Sequence, residues 1–572
     1  MPLSFAAEGC SVEIYPFEGG PVALQGGQIQ AVTVSKSLLG GTVGRFSIEL
    51  APGGPRGPED PDTWSKIITP MSHVLIGMSR GDDAAVVMDG VATGMGEAQA
   101  WHTTAQGAEA SRGQGIAGGD FAWFFRTFNY YALTYYGLAM GTGFGGALDL
   151  LPAPLVAQLS KGAIGGTSSQ NSNPVQVGRV WYRDIMAGQN GILNKTYVPF
   201  SNGSRITFSN IMSANWENYP NVYIPLAENF MVSEESWMEK FQTIFPHPWY
   251  EFFVTTAPFG AYPVYGGAGY TDEGTQIQMR TMPQALPAGP ILVARVNPVP
   301  ALGINLNDGN PVPGSIDVSR WNALPLLDFT SYPYGFISSD VSFSAEGARN
   351  FYQLNPTHYM FTFGANNANT TPAPLLFPAG ADAASIQRYG FRPQIGTTRW
   401  LMDQTGTAAQ VSTLNFAQTI VDLTGRMISW FHPAPLMADA RVIVPLLPTV
   451  LVGTRFRYAP FKDGIEWDFY IEGFQHRFVF GGRSTTTLTL SRGLPRAVYD
   501  STADGGLLQA IHLGNAMRQA ADPAVPPGEQ GYKVGLPTGT GPALTFIVTS
   551  QQVAQLNQQI GFGYITPQPK TP

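Results

Sequence analysis

Residues 467–476, WDFYIEGFQH, are followed after a short gap by residues 485–493, TTTLTLSRG. Both segments are rich in aromatic and β-branched residues, which fit a pleated, half-buried surface better than a helix. In the second segment Leu488 and Leu490 alternate with threonines, which is the period of a strand with one buried face. The two segments therefore predict two β-strands.

The same strand pattern recurs towards the N-terminus. Residues 45–50 alternate strictly, with Phe46, Ile48 and Leu50 on one face. Further strands are predicted at residues 74–78, 86–91, 249–255, 291–296, 442–447 and 449–458. Glycine pairs mark turns between the early strands, and short strands at close spacing are typical of a small barrel or sandwich.

Four segments are predicted to be helical, and one of them, residues 507–520, lies in the C-terminal tail. Residues 234–245 have an amphipathic pattern, and Ser233, Glu234 and Glu235 suit a helix start. Residues 414–431 have the clearest apolar stripe in the chain. Residues 121–140 are mostly apolar with one charge, Arg126. About 20 residues can span a bilayer, but the polar groups would be costly there. Burial in the protein or in a subunit interface is therefore favoured over membrane contact.

The composition supports a mainly β interpretation. The 572 residues include 66 Gly and 46 Pro, and 13% of them are charged, whereas about 25% is usual. An aromatic content of 12% argues against disorder. These values disfavour helical bundles and favour strands, long loops and surfaces covered in an assembly. At roughly 150 residues per domain, the length predicts three or four domains.

The charge is unevenly distributed. Residues 1–120 contain 13 acidic and 6 basic residues, so they carry −7 of the net charge of −8. Such a module is poorly suited to gripping duplex DNA, because phosphates are bound by Lys and Arg. The single cysteine, Cys10, excludes an intramolecular disulfide framework and a cysteine-rich metal site. Residues 1–5 have no signal-peptide pattern.

Motifs for catalysis or cofactor binding are weak. Residues 113–118 and 141–146 match the spelling of a dinucleotide-binding loop, but neither follows a buried strand and opens a helix. Ser79 lies in a Gly-x-Ser-x-Gly pattern, yet the residues after it predict a hairpin where a nucleophile elbow requires a helix. The seven histidines form no spaced pair, and a calcium-like segment at 305–309 has Ile316 where the loop needs Glu. No catalytic residue, cofactor or metal is predicted.

The order of several segments resembles the baseplate hub, or tail hub, proteins of contractile-tailed bacteriophages. In that family's closing hairpin, a strand that ends in a histidine precedes a Thr/Leu strand that ends in Arg-Gly, as His476 and Arg492-Gly493 do here. The other segments that resemble the family, in the same order, are 46–50, 64, 70–71, 86–91, 119–121, 249–254, 292–295, 350–351 and 389–393. The resemblance covers about residues 1–120 and 232–495.

The resemblance implies a mainly β chain with α+β insertions that forms a homotrimeric ring. It implies two tail-tube-like β-barrels, one at residues 1–120 and a discontinuous one at 285–355 and 435–496. A helix-containing α+β domain would occupy residues 232–284 and 356–434. Residues 121–231 would be an aromatic and Gly-rich insertion, and residues 497–572 a C-terminal extension.

Six barrels in three chains would adapt a sixfold tail tube to a threefold central spike. The implied partners are the tail tube or tube-initiator protein, the spike, the baseplate wedge and the tape measure protein, with DNA only in transit. The implied location is the baseplate of the phage tail, after synthesis in the host cytoplasm.

Five residues are candidates for the structural or interface roles that the resemblance implies: Glu251, Arg295, Arg392, His476 and Arg492. Arginine suits such a role because it can pair bidentately with carboxylates. The alternative is that these residues are ordinary charges at strand ends.

Four acids of the first module are predicted to face the lumen of the ring: Glu49, Asp82, Asp83 and Glu97. Like charge would repel passing DNA and limit its adhesion. The alternative is that these acids lie on a solvated outer face.

Two other functions stay open at the level of sequence. A virion-associated hydrolase that degrades cell-wall glycan would need a cleft with two close carboxylates. A membrane-contacting β protein is suggested by the aromatic run at 121–140.

Overall fold

The fold is mainly β, as predicted. The computed structural model describes residues 8–24, 26–38, 43–51, 64–104, 107–130, 171–172, 174–179, 182, 197–199, 205–207, 212–217, 224–225, 235–258, 260–262, 269–272, 288–298, 319–330, 335–356, 379–381, 389–398, 423, 426–427, 430–431 and 437–496. The predicted C-terminal extension at 497–572 and most of the predicted insertion at 121–231 lie outside these residues.

The strands of the described residues are, in chain order, β1 (Glu8–Tyr15), β2 (Val22–Leu24), β3 (Ile29–Ser37), β4 (Arg45–Leu50), β5 (His73–Arg80), β6 (Asp83–Thr104), β7 (Gly107–Asp120), β8 (Asn129–Tyr130), β9 (Asn171–Ser172), β10 (Tyr197–Pro199), β11 (Arg205–Thr207), β12 (Ser213–Glu217), β13 (Ile224–Pro225), β14 (Glu235–Ser236), β15 (Tyr250–Pro258), β16 (Gly269–Asp272), β17 (Ala288–Val296), β18 (Leu326–Asp328), β19 (Ser338–Phe343), β20 (Phe351–Pro356), β21 (Ala379–Ala381), β22 (Pro393–Thr398), β23 (Ala438–Pro445), β24 (Arg455–Tyr458), β25 (Trp467–Val479) and β26 (Thr485–Pro495). The helices are α1 (Trp64–Ile67), α2 (Ala122–Thr127), α3 (Pro174–Arg179), α4 (Trp237–Ile244) and α5 (Ser319–Ala323).

Thirteen strands form one large sheet. Its main path runs β19-β23-β26-β25-β3-β4-β7-β6-β5-β1-β2, with β24 paired to β25 and β18 paired to β24. Strands from the first predicted barrel and strands from the second therefore belong to the same sheet. They join where β25 pairs antiparallel with β3, with Gly473 opposite Ser37 and His476 opposite Val34.

A four-stranded sheet, β15-β17-β12-β16, lies against the large one. Its strand β17 is buried along its whole length, between antiparallel β15 and parallel β12. Phe253 and Val293 of this sheet share one apolar core with Phe456 and Ile471 of the large sheet. Segment 288–296, which the sequence grouped with the second barrel, thus pairs within the four-stranded sheet.

Strict alternation in the sequence builds the core of the large sheet. In β4 the pattern of exposed and buried residues alternates at every position, and Phe46, Ile48 and Leu50 are the buried ones, as predicted. Burial of each such side chain is worth about 1.5–3 kcal/mol. The same core includes Leu488 and Leu490 of β26, so a single apolar interior extends under both groups of strands.

The predicted helix at 121–140 is much shorter than expected. Helix α2 ends at Thr127, because Phe128 is extended and the chain then forms β8, which pairs with β14. Residues 131–140 lie outside the described part of the chain. In α2 the side chains of Ala122, Phe124 and Phe125 are buried, which agrees with burial in the protein. No helix within the described residues is long and apolar enough to cross a membrane.

The other helix boundaries follow local chemistry. Helix α4 begins later than predicted, because Ser236 and Glu239 form a capping box. The Glu239 backbone N–H donates to the Ser236 hydroxyl, and the Ser236 backbone N–H donates to the Glu239 carboxylate. In the predicted helix at 414–431, the residues that the structure describes are helical, namely 423, 426–427 and 430–431.

The predicted strand at 449–458 is extended only at 455–458, because a turn with a left-handed glycine, Gly453, interrupts it.

Candidate functional site

Glu251 and Arg295, two of the predicted residues, lie directly opposite each other on β15 and β17. Arg295 Nε donates to Glu251 Oε2 at 2.9 Å, and Arg295 Nη2 donates to the Gly453 carbonyl at 2.7 Å and to Tyr470 Oη at 2.9 Å. Tyr470 Oη in turn donates to Glu251 Oε1 at 2.6 Å. Tyr470 lies on β25 of the large sheet, and Gly453 lies in the turn before β24 of that sheet. The network therefore connects the four-stranded sheet to the large sheet.

Aromatic rings surround Arg295 and exclude most of the solvent from its side chain, which is 11% exposed. Its guanidinium carbon lies 5.6 Å from the ring centre of Phe253 and 5.7 Å from that of Tyr262. Burial, together with the nearby Glu251 carboxylate, raises the pKa of Tyr470 well above its usual value, so the phenol stays protonated and can donate. Gly453 has a φ of 69°, and a Cβ there would lie 2.6 Å from Arg295 Nη2. These contacts indicate a structural role for the network, which is a joint: a contact that holds two parts of the fold together, here the two sheets.

Arg492 forms a second joint, at the end of β26. Its guanidinium carbon lies 3.4 Å from the ring centre of Trp430, and its Nη2 donates to the Trp430 carbonyl at 2.6 Å. Trp430 also packs edge-on against His247, with ring centres 4.5 Å apart. Burial, with a smaller effect of Arg492, lowers the pKa of His247 to about 4, so this histidine is neutral at pH 7. Arg492 thus binds the end of the predicted helix at 414–431 to the large sheet.

His476 is fully buried on β25 and connects neighbouring segments. Its Nδ1 lies 2.8 Å from Thr486 Oγ1, and that hydroxyl accepts from the Leu447 backbone N–H at 2.9 Å. Burial lowers the pKa of His476 to about 3, so the ring is neutral. Since Thr486 already accepts from Leu447, its own proton is available for His476 Nδ1.

Arg392 takes part in hydrogen bonds that connect two of the segments that resemble the hub family. Its Nη1 donates to the Ala345 carbonyl at 2.6 Å, and its backbone N–H donates to Asn350 Oδ1 at 2.7 Å. Asn350 Nδ2 donates to the Gly390 carbonyl at 2.6 Å. Segments 350–351 and 389–393 are therefore bonded to each other. Arg392 and His476 lie elsewhere in the fold from the Glu251–Arg295 pair.

The four predicted lumen acids lie in the first group of strands. Glu49 is exposed on β4, Asp82 is exposed in the turn between β5 and β6, and Asp83 is half-buried at the start of β6. The backbone of Glu97 pairs with Gln114 of β7, and its side chain is outside the described part. Their orientation towards a channel stays a prediction.

The sequence did not reveal several buried charged groups. Arg457 pairs bidentately with Asp468, Nε to Oδ1 at 2.5 Å and Nη2 to Oδ2 at 2.9 Å. Lys36 Nζ donates to Asp120 Oδ2 at 2.6 Å, with both side chains only 3% exposed. The position of Asp468 between two aromatic residues could have indicated a buried ion pair, because a buried carboxylate needs a cation. No local pattern could identify Tyr470 or Gly453 as partners of Arg295.

The patterns that resembled catalytic motifs have other structures. Ser79 lies on β5, and the chain turns directly into β6, so the segment is a hairpin, as predicted. Residues 113–118 lie inside strand β7, which has no place for a dinucleotide. His73 Nε2 and Asp89 Oδ1 are 2.6 Å apart, but both side chains are at most 2% exposed. The described residues contain no group of three or more His, Cys, Asp or Glu that could hold a metal ion.

The similarity of this chain to known proteins is found among solved structures. No family model matches the chain, and no curated protein matches its sequence. The solved structures to which it is similar include tail proteins and a component of a type VI secretion system. A tail protein from Neisseria meningitidis is 10% identical, covers 86% of this chain and 99% of its own, and gives a TM-score of 0.40.

Two prophage proteins give similar values. The 43 kDa tail protein of prophage MuSo2 from Shewanella oneidensis is 10% identical, with 85% of this chain and 98% of its own covered and a TM-score of 0.38. The prophage tail protein gp18 from Listeria monocytogenes is 8% identical, with 84% and 94% covered and a TM-score of 0.35.

Proposed function

We propose that this chain is the baseplate hub of a contractile phage tail and that it acts as a homotrimer without catalysis. The observation that carries the proposal is the β25–β3 pairing, which joins strands of residues 8–120 and strands of residues 326–495 into one sheet. In this proposal one chain would supply two adjoining tube-like units, and three chains would supply six.

The proposed domains keep the boundaries expected from the sequence, except that strand β17 (Ala288–Val296) pairs within the four-stranded sheet. The tube-like barrels comprise residues 1–120 and residues 285–355 with 435–496, and the α+β domain comprises residues 232–284 and 356–434. Residues 121–231 form an insertion and residues 497–572 an extension. The Arg492–Trp430 contact supports a separate helix-containing part, because it connects the predicted helix at 414–431 to the large sheet. The Arg295–Gly453 hydrogen bond connects the four-stranded sheet to the large sheet.

An apolar patch at one edge of the large sheet supports contact between copies. Strand β19 has one partner, β23, among the described strands. Large apolar side chains that are 37–54% exposed lie on or near this edge: Phe336, Ile337, Phe343, Phe461 and Ile465. Exposed apolar patches of this kind mark interaction sites, and a closed ring would cover the free edge.

The ring would surround a channel for DNA, with the sixfold tail tube or tube-initiator protein on one side and the threefold spike on the other. The baseplate wedge and the tape measure protein are the further proposed partners, in the tail of the virion. Glu49, Asp82, Asp83 and Glu97 are the proposed lumen-facing acids, which would limit adhesion of DNA.

The oligomeric state tests this proposal. Light scattering after size exclusion should give three times the chain mass of 61.5 kDa, and electron microscopy should reveal rings. Phe343→Asp should reduce the trimer, because it places a charge in the apolar edge patch. Phe480→Asp is the matched control, since Phe480 is 56% exposed outside this patch.

A wild-type chain that stays monomeric at micromolar concentration would contradict the hub assignment. Release of soluble fragments from purified peptidoglycan would instead support the hydrolase. Binding to liposomes would support a membrane-contacting protein.

A further inference from the structure

A basic cleft lies on the exposed face of the large sheet, where the two groups of strands meet. It has a volume of about 530 Å³, and its floor comes from β3, β4, β25 and β26. The strand register places its residues in two neighbouring rows. One row is Arg45–Ser35–Gln475–Thr487 and the other is Ser37–Gly473–Thr489–Arg441.

Among the described residues, no acidic side chain lines this cleft. Its charged groups are Lys36, Arg45, Arg126 and Arg441, and the lining contains no carboxylate. Buried Lys36 is neutralised by Asp120 at 2.6 Å. The three arginines are exposed and come from three separate elements, β4, α2 and β23. The lining therefore carries three exposed arginines and no carboxylate, in a chain whose net charge is −8. Two acids lie beside these arginines but outside the lining. Asp340 is opposite Arg441 on β19, and Glu239, whose pKa is lowered first by its hydrogen bonds with Ser236, is close enough to Arg126 for that charge to lower it further.

The size of the cleft indicates an elongated ligand. Arg45 and Arg441 stand on the outer two of five neighbouring strands, so about 19 Å separates their Cα atoms at ~4.8 Å per strand. Gly473 leaves the middle of the floor without a side chain, and a Cβ there would lie 2.8 Å from the Lys36 carbonyl oxygen. A single small anion could not contact both outer arginines at once.

The donors of the cleft favour phosphate over carboxylate. The hydroxyls of Ser35, Ser37, Thr487 and Thr489 and the Gln475 amide add neutral donors between the arginines. A phosphate group offers more acceptor oxygens than a carboxylate, and arginine binds it bidentately. We propose that this cleft binds an extended phosphate chain, either inorganic polyphosphate or the phosphodiester backbone of a nucleic acid. The proposal depends on the cleft alone and not on the hub assignment.

Binding to the full chain tests it. The probes are inorganic tripolyphosphate in calorimetry and a labelled single-stranded oligonucleotide in fluorescence anisotropy, each at 50 mM and 200 mM salt. The double variant Arg45→Gln/Arg441→Gln should weaken binding at least about tenfold at low salt. For the oligonucleotide, the slope of log affinity against log salt should fall by about 1.4, because each lost phosphate contact removes about 0.7.

The matched control is Arg483→Gln/Lys462→Gln, which removes two exposed positive charges that do not line the cleft. It should bind both probes like the wild type, and thermal unfolding should be unchanged in both double variants. Binding of tripolyphosphate alone would assign the cleft to polyphosphate, and binding of both would include nucleic acid. Three results would overturn the proposal. The control variant could lose as much affinity as the cleft variant, neither phosphate probe could bind, or a poly-glutamate peptide could bind more tightly than the phosphate probes.

Discussion

Glu251 and Arg295 occupy opposite positions on adjacent antiparallel strands, and their side chains approach to 2.8 Å. They form a pair that is buried between two sheets and shared with Tyr470. A buried ion pair is not by itself a gain in stability, but breaking one leaves an uncompensated charge. The pair therefore makes the packing of the two sheets sensitive to a single substitution.

Replacement of Arg295 by methionine should lower the free energy of unfolding by about 3–5 kcal/mol, because Glu251 would stay buried without its cation. Thermal unfolding followed by circular dichroism measures the effect. Arg483→Met is the control, since Arg483 is exposed and such surface changes are usually within about 0.5 kcal/mol. Similar midpoints for the two variants would show that the Arg295 network does not hold the sheets.

Gly453→Ala should be more destabilising than Gly464→Ala. Both glycines are left-handed, with φ of 69° and 72°, so alanine costs about 1–2 kcal/mol of backbone energy at either position. Only at position 453 would the new Cβ meet other atoms, with Arg295 Nη2 at 2.6 Å, whereas nothing lies within 4 Å at position 464. Gly453→Ala should therefore cost about 1–3 kcal/mol more, as overpacking does, in parallel urea titrations. Equal costs would contradict this account.

Arg492→Ala should weaken assembly of the proposed trimer and should not affect any catalytic activity. The substitution removes the stacking on Trp430 and the hydrogen bond to its carbonyl, so the segment at 430 loses its fixed position on the large sheet. Sedimentation velocity should show a smaller trimer fraction than for the wild type. Arg477→Ala, at an exposed position on β25, is the control. Normal particles from the Arg492 variant would remove this claim.

Glu472→Gln should change how stability depends on pH. Burial raises the pKa of Glu472 to about 7 from 4.5, against the opposing effect of its hydrogen bond from Ser491. The folded state thus holds this proton more tightly than the unfolded state between pH 4.5 and 7, and the wild type loses stability as pH rises through that window.

Glutamine does not titrate, so the variant should gain stability relative to the wild type across this window, by up to about 3 kcal/mol at pH 7.5. Urea midpoints of both proteins at pH 4.5 and pH 7.5 measure the difference. A difference that is the same at both pH values would refute the assignment to Glu472.

The sequence by itself determined the local pattern of this protein. The alternation at 45–50 is a property of neighbouring residues, because successive side chains of a strand point to opposite faces, and it predicted β4 and its buried face correctly. The mainly β class also came from such segments, whereas the choice of Glu251, Arg295 and Arg392 as structural residues came from the resemblance to the hub family. Helix α2 was predicted too long, because its end depends on the pairing of β8 with the distant β14.

Only the tertiary structure decided which residues meet. Tyr470 and Glu251 are 219 positions apart, and their contact requires two sheets to pack in one register. Arg45 and Arg441 line the same cleft only because β25 pairs with β3 and brings the two halves of the chain together. Such contacts depend on register and packing between distant segments, and neither property is encoded in the periodicity of any one segment.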